Sequence, residues 1–563
     1  MVRRRRKKEQ EQSAAGLQPP PGWVTASTLF GVIPIAIAAL MAVYLLAAKK
    51  AAGEIGFPLD DSWIHARFGE NLSRGLGFSF NPGEPTSTTT AALWTLLLAG
   101  AYRITHEFFF TSFAVNWLLC ALICVVVYHL TLTLHPSRWV GLLAAATVAV
   151  TVPLPWWALS GMEPPLYAFL ALLGILLHIR LRNARGARAF VPTMVFALAG
   201  LARPECLLLF PLAMVDRLVT AWRVDRKSGW LLRLAWELPV HVLLFGITVL
   251  PLFVYNHRVT GLLLPSSFYS KEQRLSLAAA LAGTSDISVG YAAIALPAQE
   301  VWDVLKVWAG NNAVLVIPFL YGLWSLVRQA LGVSTTSRSL MIPLALVLRP
   351  LIWALAAGYR PADFQSQRYL ADLNVLFLLV GVIGWARLVQ QVGMLHRRTA
   401  VAAMVCAVLA ASLARQPSAA RVYTRNVKNI TEMQVAIARW LRDNAPRGSL
   451  LAVNDVGAIG AITGDRVLDL QGLVTPEILL LRDLRHRRDG TAPQRVFQFL
   501  AERRPDYVVV FPAWYPEYGM MTALFTEVHR VELTDNITCG APVMVVYRAD
   551  WSALDRRMQR QGP

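Results

Sequence analysis

The feature that most restricts this chain is a succession of apolar runs long enough to cross a bilayer, recurring along its first three quarters. Inside lipid no water is available to hydrogen-bond a peptide group, so such runs fold as helices whose N–H and C=O groups pair within the segment. A hydrophobic fraction of 55% with only 16% charge, over 563 residues, exceeds what a soluble core can hide. The net charge of +19 would suit a polyanionic partner. Its Lys and Arg residues are scattered between apolar spans, however, which argues against nucleic acid. Basic loops kept on the cytoplasmic side produce such an excess by themselves.

Apolar stretches lie near residues 28–48, 109–134, 139–155, 166–179, 190–202, 205–220, 238–256, 310–330, 339–357, 373–392 and 399–414. The stretch Ala91–Ile104, about 14 residues, is too short to span and reads as an interfacial or re-entrant helix. With it left out, the basic segments around Arg138, Arg180–Arg188, Arg223–Arg233, Arg328–Arg338 and Arg397–Arg398 share one side with Arg3–Lys8. The expectation is a polytopic α-helical protein of the cell (inner) membrane with about eleven spans, amino end cytoplasmic and carboxyl end outside. The short pair 190–202 and 205–220 reads as two tilted helices meeting at an outward Arg203-Pro204-Glu205 corner; a single broken span there would invert everything after it. Residues 1–26 read as a basic cytoplasmic tail, with Leu29–Ala48 an uncleaved anchor. Residues 27–414 read as the membrane body, with an acidic outer loop at 49–108.

From Arg415 the character changes. Leu450–Val453, Arg466–Leu470, Tyr507–Phe511 and Val543–Tyr547 have strand length, and helical patterns at Thr431–Asn444 and Gln494–Arg503 alternate with them. Residues 415–563 therefore read as a small extracytoplasmic α/β domain. Cys120, Cys124, Cys206 and Cys406 sit in apolar runs, which leaves Cys539 alone outside and no disulfide framework. Asn429 and Asn536 begin N-x-T sequons, which matter only in a glycosylating secretory pathway.

Carboxylates beside hydrocarbon are costly and are usually functional or paired. Two outer loops carry them. The first reads GFPLDDSWIHARFGENLSRGLGFSFNPGEPTSTTTAALW, with adjacent Asp60 and Asp61. The pattern from Trp63 to Leu72 predicts an amphipathic helix lying in the interface, with Trp63, Phe68 and Leu72 facing the membrane. The second is WWALSGMEPPLYAF, where Glu163 is the only Asp, Glu, Lys, Arg or His between Arg138 and His178. A snorkelling glutamate would explain Glu163 equally well on its own, but it shares the outer face with Asp60 and Asp61. His65, four residues after Asp61, could share that helix face, in a structural or a catalytic role.

Several stretches carry a resemblance. LDDSWIHARFGENLSRGLGFSFNPGE with TTTAALWTLLLA, SGMEPPLYAFLALL, LARPECLLLF, RVTGLLLPSSFYSK, QRYLADLNVLFLL and NDVGAIGAITGDRVLDLQGLV follow one another in order. Together they resemble the GT-C superfamily of polyprenyl-phosphate-sugar glycosyltransferases, and especially the branch containing the mycobacterial arabinofuranosyltransferases. Where relatives often have Pro-Asn-Thr, this chain has Pro265-Ser266-Ser267.

The resemblance implies a GT-C-like body that transfers a sugar from a lipid-linked polyprenyl-phosphate donor to an extracytoplasmic glycan or other hydroxyl acceptor. Arabinofuranose is the leading sugar, with mannose or another hexose as the alternative. The family's first-loop base falls on Asp60, with Asp61 close behind; such a carboxylate takes the acceptor's proton as attack proceeds. Charge develops on the departing phosphate, which asks for a cation, and Arg203, Lys271 and Arg368 are the outer-face candidates. His65, Arg67 and Tyr369 join them as candidate substrate contacts. Arg368 could instead pair with Asp372 at helical spacing. Some relatives use a divalent ion, for which Asp60, Asp61 and Glu163 could offer oxygen ligands to Mg, Mn or Ca. No P-loop, paired CxxC or HExxH occurs, so a nucleotide-sugar site lacks a candidate. A transporter or flippase would call for internal repeats and mid-membrane charges, which the sequence does not display.

Overall fold

The computed structural model describes residues 19–182, 184, 186–224, 230–271, 277–281, 287–332, 339–356, 362–391, 394–481 and 492–560. The chain is a polytopic helical membrane protein with a C-terminal α/β region. Among the described residues, seven helices are long and apolar enough to cross a bilayer: Gly22–Ala52, Phe109–Leu134, Pro164–Leu181, Ala235–Thr260, Tyr291–Leu331, Phe364–Gln390 and Thr399–Asn444. The expected larger number depends on shorter apolar helices such as Arg138–Ala149, Gly186–Ala202 and Met341–Leu355.

Side-chain placement follows the solvent. Gly22–Ala52 turns Ile33, Ile37, Met41 and Tyr44 inward, while Phe30, Ile35, Val43 and Leu46 stand exposed. Apolar groups on all sides are what a lipid-bathed helix requires. At the other extreme lies Phe364–Gln390, 89% of whose apolar window is buried, so it forms the middle of the bundle. Its Gly384 lets Pro318 approach: a Cβ there would stand 1.8 Å from the Pro318 carbonyl oxygen. Small residues at such crossings supply the close packing that replaces the hydrophobic effect in lipid. Ala92–Thr105 is a 14-residue helix packed against Asp60–Ser73, and it does not reach spanning length.

The helix Thr399–Asn444 continues from the bundle into the α/β region. Gln416 ties the passage down, accepting from the Tyr44 hydroxyl at 2.6 Å and donating to the Val150 carbonyl at 2.8 Å. The sheet order is β2-β1-β3-β5-β4, with β1 Leu450–Val453, β2 Arg466–Asp469, β3 Tyr507–Val510, β4 Phe525–Glu532 and β5 Val543–Ala549. β1 pairs in parallel with β2 and β3; β5 pairs antiparallel with β3 and β4. β3 reads YVVV and is buried throughout, as a strand covered on both faces must be. β4, an edge strand that is mostly exposed or partly exposed, is not marked in the sequence because its residues FTEVHRVE are too polar for an apolar run. All five cysteines are free, and Asn429 of the first sequon is buried, donating to the Asp535 carbonyl at 2.8 Å.

One layer of this region's core comes from the first acidic loop. Ile64, Phe68 and Phe80 pack in a single cluster with Ile437, Leu441, Val453, Val509 and Val546. Asn81 completes the sheet edge, its amide donating to the Val467 carbonyl and its oxygen accepting the Val467 N–H, both at 2.9 Å. The interfacial orientation expected for the first-loop helix is therefore corrected at Phe68. That ring is fully buried, packed into the apolar core of the α/β region rather than facing outward.

Candidate functional site

The first-loop helix Asp60–Ser73 opens with two carboxylates, where the unpaired N–H groups and the helix dipole favour negative charge. Its first turn is fastened to the second acidic loop by the Ser62 hydroxyl, which donates to the Ser160 carbonyl at 2.6 Å. That loop turns at Gly161, whose φ of +70° and contact with Phe57 (a Cβ would lie 2.4 Å from the ring) admit only glycine. The Trp94 indole and the Asn116 amide hold the carbonyls of Gly161 and Met162 at 3.2 and 3.1 Å. Glu163 is thus delivered beside the first-loop helix at the mouth of Pro164–Leu181.

Neighbours Asp60 and Asp61 lead different lives. Asp60 is buried and points into the α/β region, accepting the Gly457 N–H at 2.6 Å and the Ala458 N–H at 2.8 Å. Asp455 lies within hydrogen-bonding reach of it and accepts from the Gln434 amide at 2.7 Å. Burial first, then the Asp60 charge, push the Asp455 carboxyl well above the usual range; burial raises Asp60 too, against the opposing N–H donors. Asp60 and Asp455 are thus two buried carboxyls side by side, and burial together with their mutual repulsion pushes both toward the neutral form. Asp61, by contrast, keeps 24% of its side chain exposed and forms an ion pair with Arg368 at 2.9 Å.

Behind Asp61 sits a buried charge network. Arg203, at the extended corner after Val191–Ala202, donates from Nε and NH2 to Glu205 at 3.0 and 2.7 Å and from NH1 to Glu163. Its guanidinium lies 4.4 Å from the Tyr369 ring centre, a cation–π distance. His65 Nε2 stands 3.4 Å from the other Glu163 oxygen. Burial alone would raise the Glu163 carboxyl, but Arg203, His65 and Arg368 pull it well below the usual range. Burial likewise opposes the Arg203 charge, and Glu205 and Glu163 outweigh it.

Arg368 is placed by an unusual turn. Gln365, Ser366 and Gln367 all have positive φ, of 48°, 52° and 63°, a sequence of left-handed residues that costs about 1–3 kcal/mol per position. The turn is held by the Trp157 indole on the Ser366 carbonyl at 2.8 Å and by paired amide bonds between Gln367 and Asn311 at 2.8 and 3.0 Å. The Tyr167 hydroxyl accepts the Ala371 N–H and donates to the Arg368 carbonyl. Besides Asp61, the guanidinium donates to the Tyr369 hydroxyl at 3.0 Å and the Met162 sulfur at 3.0 Å, while Nε has no hydrogen-bond partner among the described residues. The helical-spacing partnership of Arg368 with Asp372 does not form: Asp372 pairs with Arg349 of Met341–Ala356.

The structure thus brings Asp61, His65, Glu163, Arg203, Arg368 and Tyr369 together. Arg67 stands apart, its guanidinium donating to the carbonyls of Phe80 at 3.3 Å and Gly464 at 3.2 Å. Lys271 ends the helix Ser266–Lys271, and its side chain lies outside the described residues. Glu205, Asp455, Gln434 and Tyr167 were not singled out from sequence. Glu205 carried a signal, an acid two residues from a buried arginine; Asp455 carried none without its partner. Among the described residues no three His, Cys, Asp or Glu gather as candidate metal ligands; Asp60 accepts two amide N–H groups, Asp61 pairs with Arg368, and one Glu163 oxygen pairs with Arg203.

The family described as a domain of unknown function (DUF8728) matches residues 425–556. No curated protein matches the sequence. Among solved structures, the chain is similar to ArnT from Cupriavidus metallidurans in the apo state, at 12% identity over 93% of this chain and 99% of that one, with a TM-score of 0.55. The same protein bound to undecaprenyl phosphate matches at 13% identity over 93% and 99%, with a TM-score of 0.54. The oligosaccharyltransferase of Archaeoglobus fulgidus in complex with Zn and sulfate matches at 14% identity over 91% of this chain and 73% of that one, with a TM-score of 0.51. The likeness is one of fold alone.

Proposed function

We propose that this chain is a membrane glycosyltransferase that moves one sugar from a polyprenyl monophosphate carrier to an acceptor hydroxyl, with inversion at the anomeric carbon. The observation that carries this reading is the pair of a partly exposed Asp61 with the buried Arg368, set against a buried network in which Arg203 is already engaged by Glu163 and Glu205. It is supported by a fold shared with a structure that binds undecaprenyl phosphate.

Asp61, rather than Asp60, is the base. A base must reach the acceptor, and both Asp60 oxygens are occupied by the α/β region. As the acceptor oxygen attacks, its proton passes to Asp61, and the electrons of the breaking C–O bond go to the phosphate. Arg368 meets that charge: among the described residues it has a single carboxylate partner and an unsatisfied Nε. Arg203, saturated by Glu163 and Glu205, orients Tyr369 and holds the wall instead. Arabinofuranose is the donor sugar we favour, on the sequence resemblance, and the α/β side is extracytoplasmic.

The test is transfer from labelled polyprenyl-phosphate arabinose by purified protein. Asp61→Asn retains donor binding and loses about two to four orders of magnitude in rate, the scale of general-base help. Arg368→Gln weakens binding of polyprenyl monophosphate. Efficient transfer from a nucleotide sugar without a lipid intermediate, or a normal rate in Asp61→Asn, overturns the reading.

A further inference from the structure

The α/β region caps the first acidic loop, and its contacts with that loop go beyond covering it. Ile64, Phe68 and Phe80 are structural members of its core. Asn81 extends its sheet edge, and Arg67 reaches the Gly464 carbonyl at the end of Gly457–Thr463. Ile64, Arg67 and Phe68 share one face of the helix Asp60–Ser73, and Phe80 and Asn81 lie in the loop that follows it. At the start of that helix, Asp60 is gripped by two N–H groups at 2.6 and 2.8 Å. Asp455 closes the grip from the side, and Gln434 braces Asp455 at 2.7 Å while accepting the Cys539 thiol at 3.3 Å. The fit is tight enough that residue 457 has no room for a side chain: a Cβ there would stand 2.1 Å from the Asp60 carbonyl oxygen and 2.6 Å from its carboxylate.

We infer that the α/β region is the positioning element for the catalytic helix, with Asp60, Asp455 and Gly457 as its joint, so that Asp60 sets the place of Asp61 rather than taking part in the chemistry. This rests on the reading of Asp61 as the base. The physical reason is adjacency. Asp60 and Asp61 are successive residues of one helix turn, so a shift of the joint moves the Asp61 carboxylate by a similar amount relative to Arg368. Misplacement of a reacting group by about 1 Å can cost about a hundredfold in rate. The membrane body fastens this turn through Ser62 and the Asp61–Arg368 pair, and neither crosses to the face that Asp60 occupies. Asp60 and Asp455 are accordingly positioning residues. The domain matched at 425–556 thereby holds one wall of the site.

The experiment uses the full-length protein in detergent or nanodiscs and reads two quantities, deuterium uptake over residues 60–73 and the steady-state constants for transfer. Gly457→Ala and Asp455→Ala should each raise uptake across 60–73. They should also lower kcat by about tenfold to a hundredfold, with the KM for donor changing less than about threefold. Asp455→Asn, which keeps a polar side chain of the same size able to donate to Asp60, should recover most of the loss seen in Asp455→Ala. Asp61→Asn, whose amide oxygen can still accept from Arg368, should lose transfer with uptake rising far less than in Gly457→Ala. Unaltered uptake in Gly457→Ala overturns the inference. So does an Asp60→Asn variant that loses transfer as completely as Asp61→Asn while residues 60–73 stay protected. If Asp61→Asn transfers normally while Gly457→Ala loosens the helix, the joint stands and the choice of base falls.

Discussion

Removing the charge of Glu163 measures how the buried network is balanced. Glu163 accepts from Arg203 NH1 and faces His65 at 3.4 Å, in a position that is 1% exposed. In Glu163→Gln the amide oxygen can still accept from Arg203, and Arg203 keeps both bonds to Glu205. A hydrogen bond to a charged group contributes about 1.5–3 kcal/mol and a neutral one about 1 kcal/mol, so the glutamine variant should lose about 0.5–2 kcal/mol. Glu163→Ala leaves an arginine donor unpaired in the interior and should lose about 3–5 kcal/mol, the usual penalty for breaking a buried pair from one side. Unfolding by graded denaturant in mixed micelles, followed by tryptophan fluorescence, gives both values against wild type. The pH dependence supplies the sign. The carboxyl of Glu163 is depressed in the folded protein, so its contribution is complete above the ordinary glutamate range and is lost as pH falls through the depressed value. The gap between wild type and Glu163→Gln should therefore stay level near neutrality and narrow in acid. Equal stability of the Gln and Ala variants, or a gap that widens in acid, would refute this account of the network.

The Asp60–Asp455 pair should behave in the opposite sense. A raised Asp455 contributes stability that is full below the ordinary aspartate range and is lost as pH rises through the raised value, at about 1.4 kcal/mol per pH unit within that window. The groups facing it are Asp60, Asp61, Gln434 and Cys539, so Asp455→Asn should flatten the curve of denaturation midpoint against pH. Phe68→Ala should lose about 3–5 kcal/mol through the cavity it leaves, and it should expose the 74–90 segment to limited proteolysis if the ring packs in the α/β core. Asp372→Ala, which strands Arg349 in the bundle, should lower the unfolding midpoint more than Asp303→Ala, whose partner Lys306 is exposed at the surface.

The amphipathic segment after Asp60-Asp61 and the short helix Ala92–Thr105 show what the sequence made legible and where it stopped. Length and polarity were enough to see that the first is a helix and that the second does not span, because both follow from backbone hydrogen bonding in lipid and from rise per residue. The same physics marked the helical body, the later α/β alternation and the outer acidic loops. Which solvent each face of the helix meets was not encoded locally. Phe68 satisfies an interfacial pattern and a protein core equally well, and only the arrival of residues 437–546 decides between them.

The acids follow the same division. Composition and placement singled out Asp60, Asp61 and Glu163 because carboxylates near hydrocarbon demand a reason. Their separate partners, Gly457 and Ala458 for Asp60, Arg368 for Asp61 and Arg203 for Glu163, come from elements up to 398 residues away in the chain. No spacing rule reaches that far. Two adjacent aspartates of the same helix are chemically alike as residues. Tertiary structure makes them different: one is committed to backbone N–H groups and a neighbouring carboxyl, while the other is left at a partly exposed boundary beside a guanidinium that still has a donor to give.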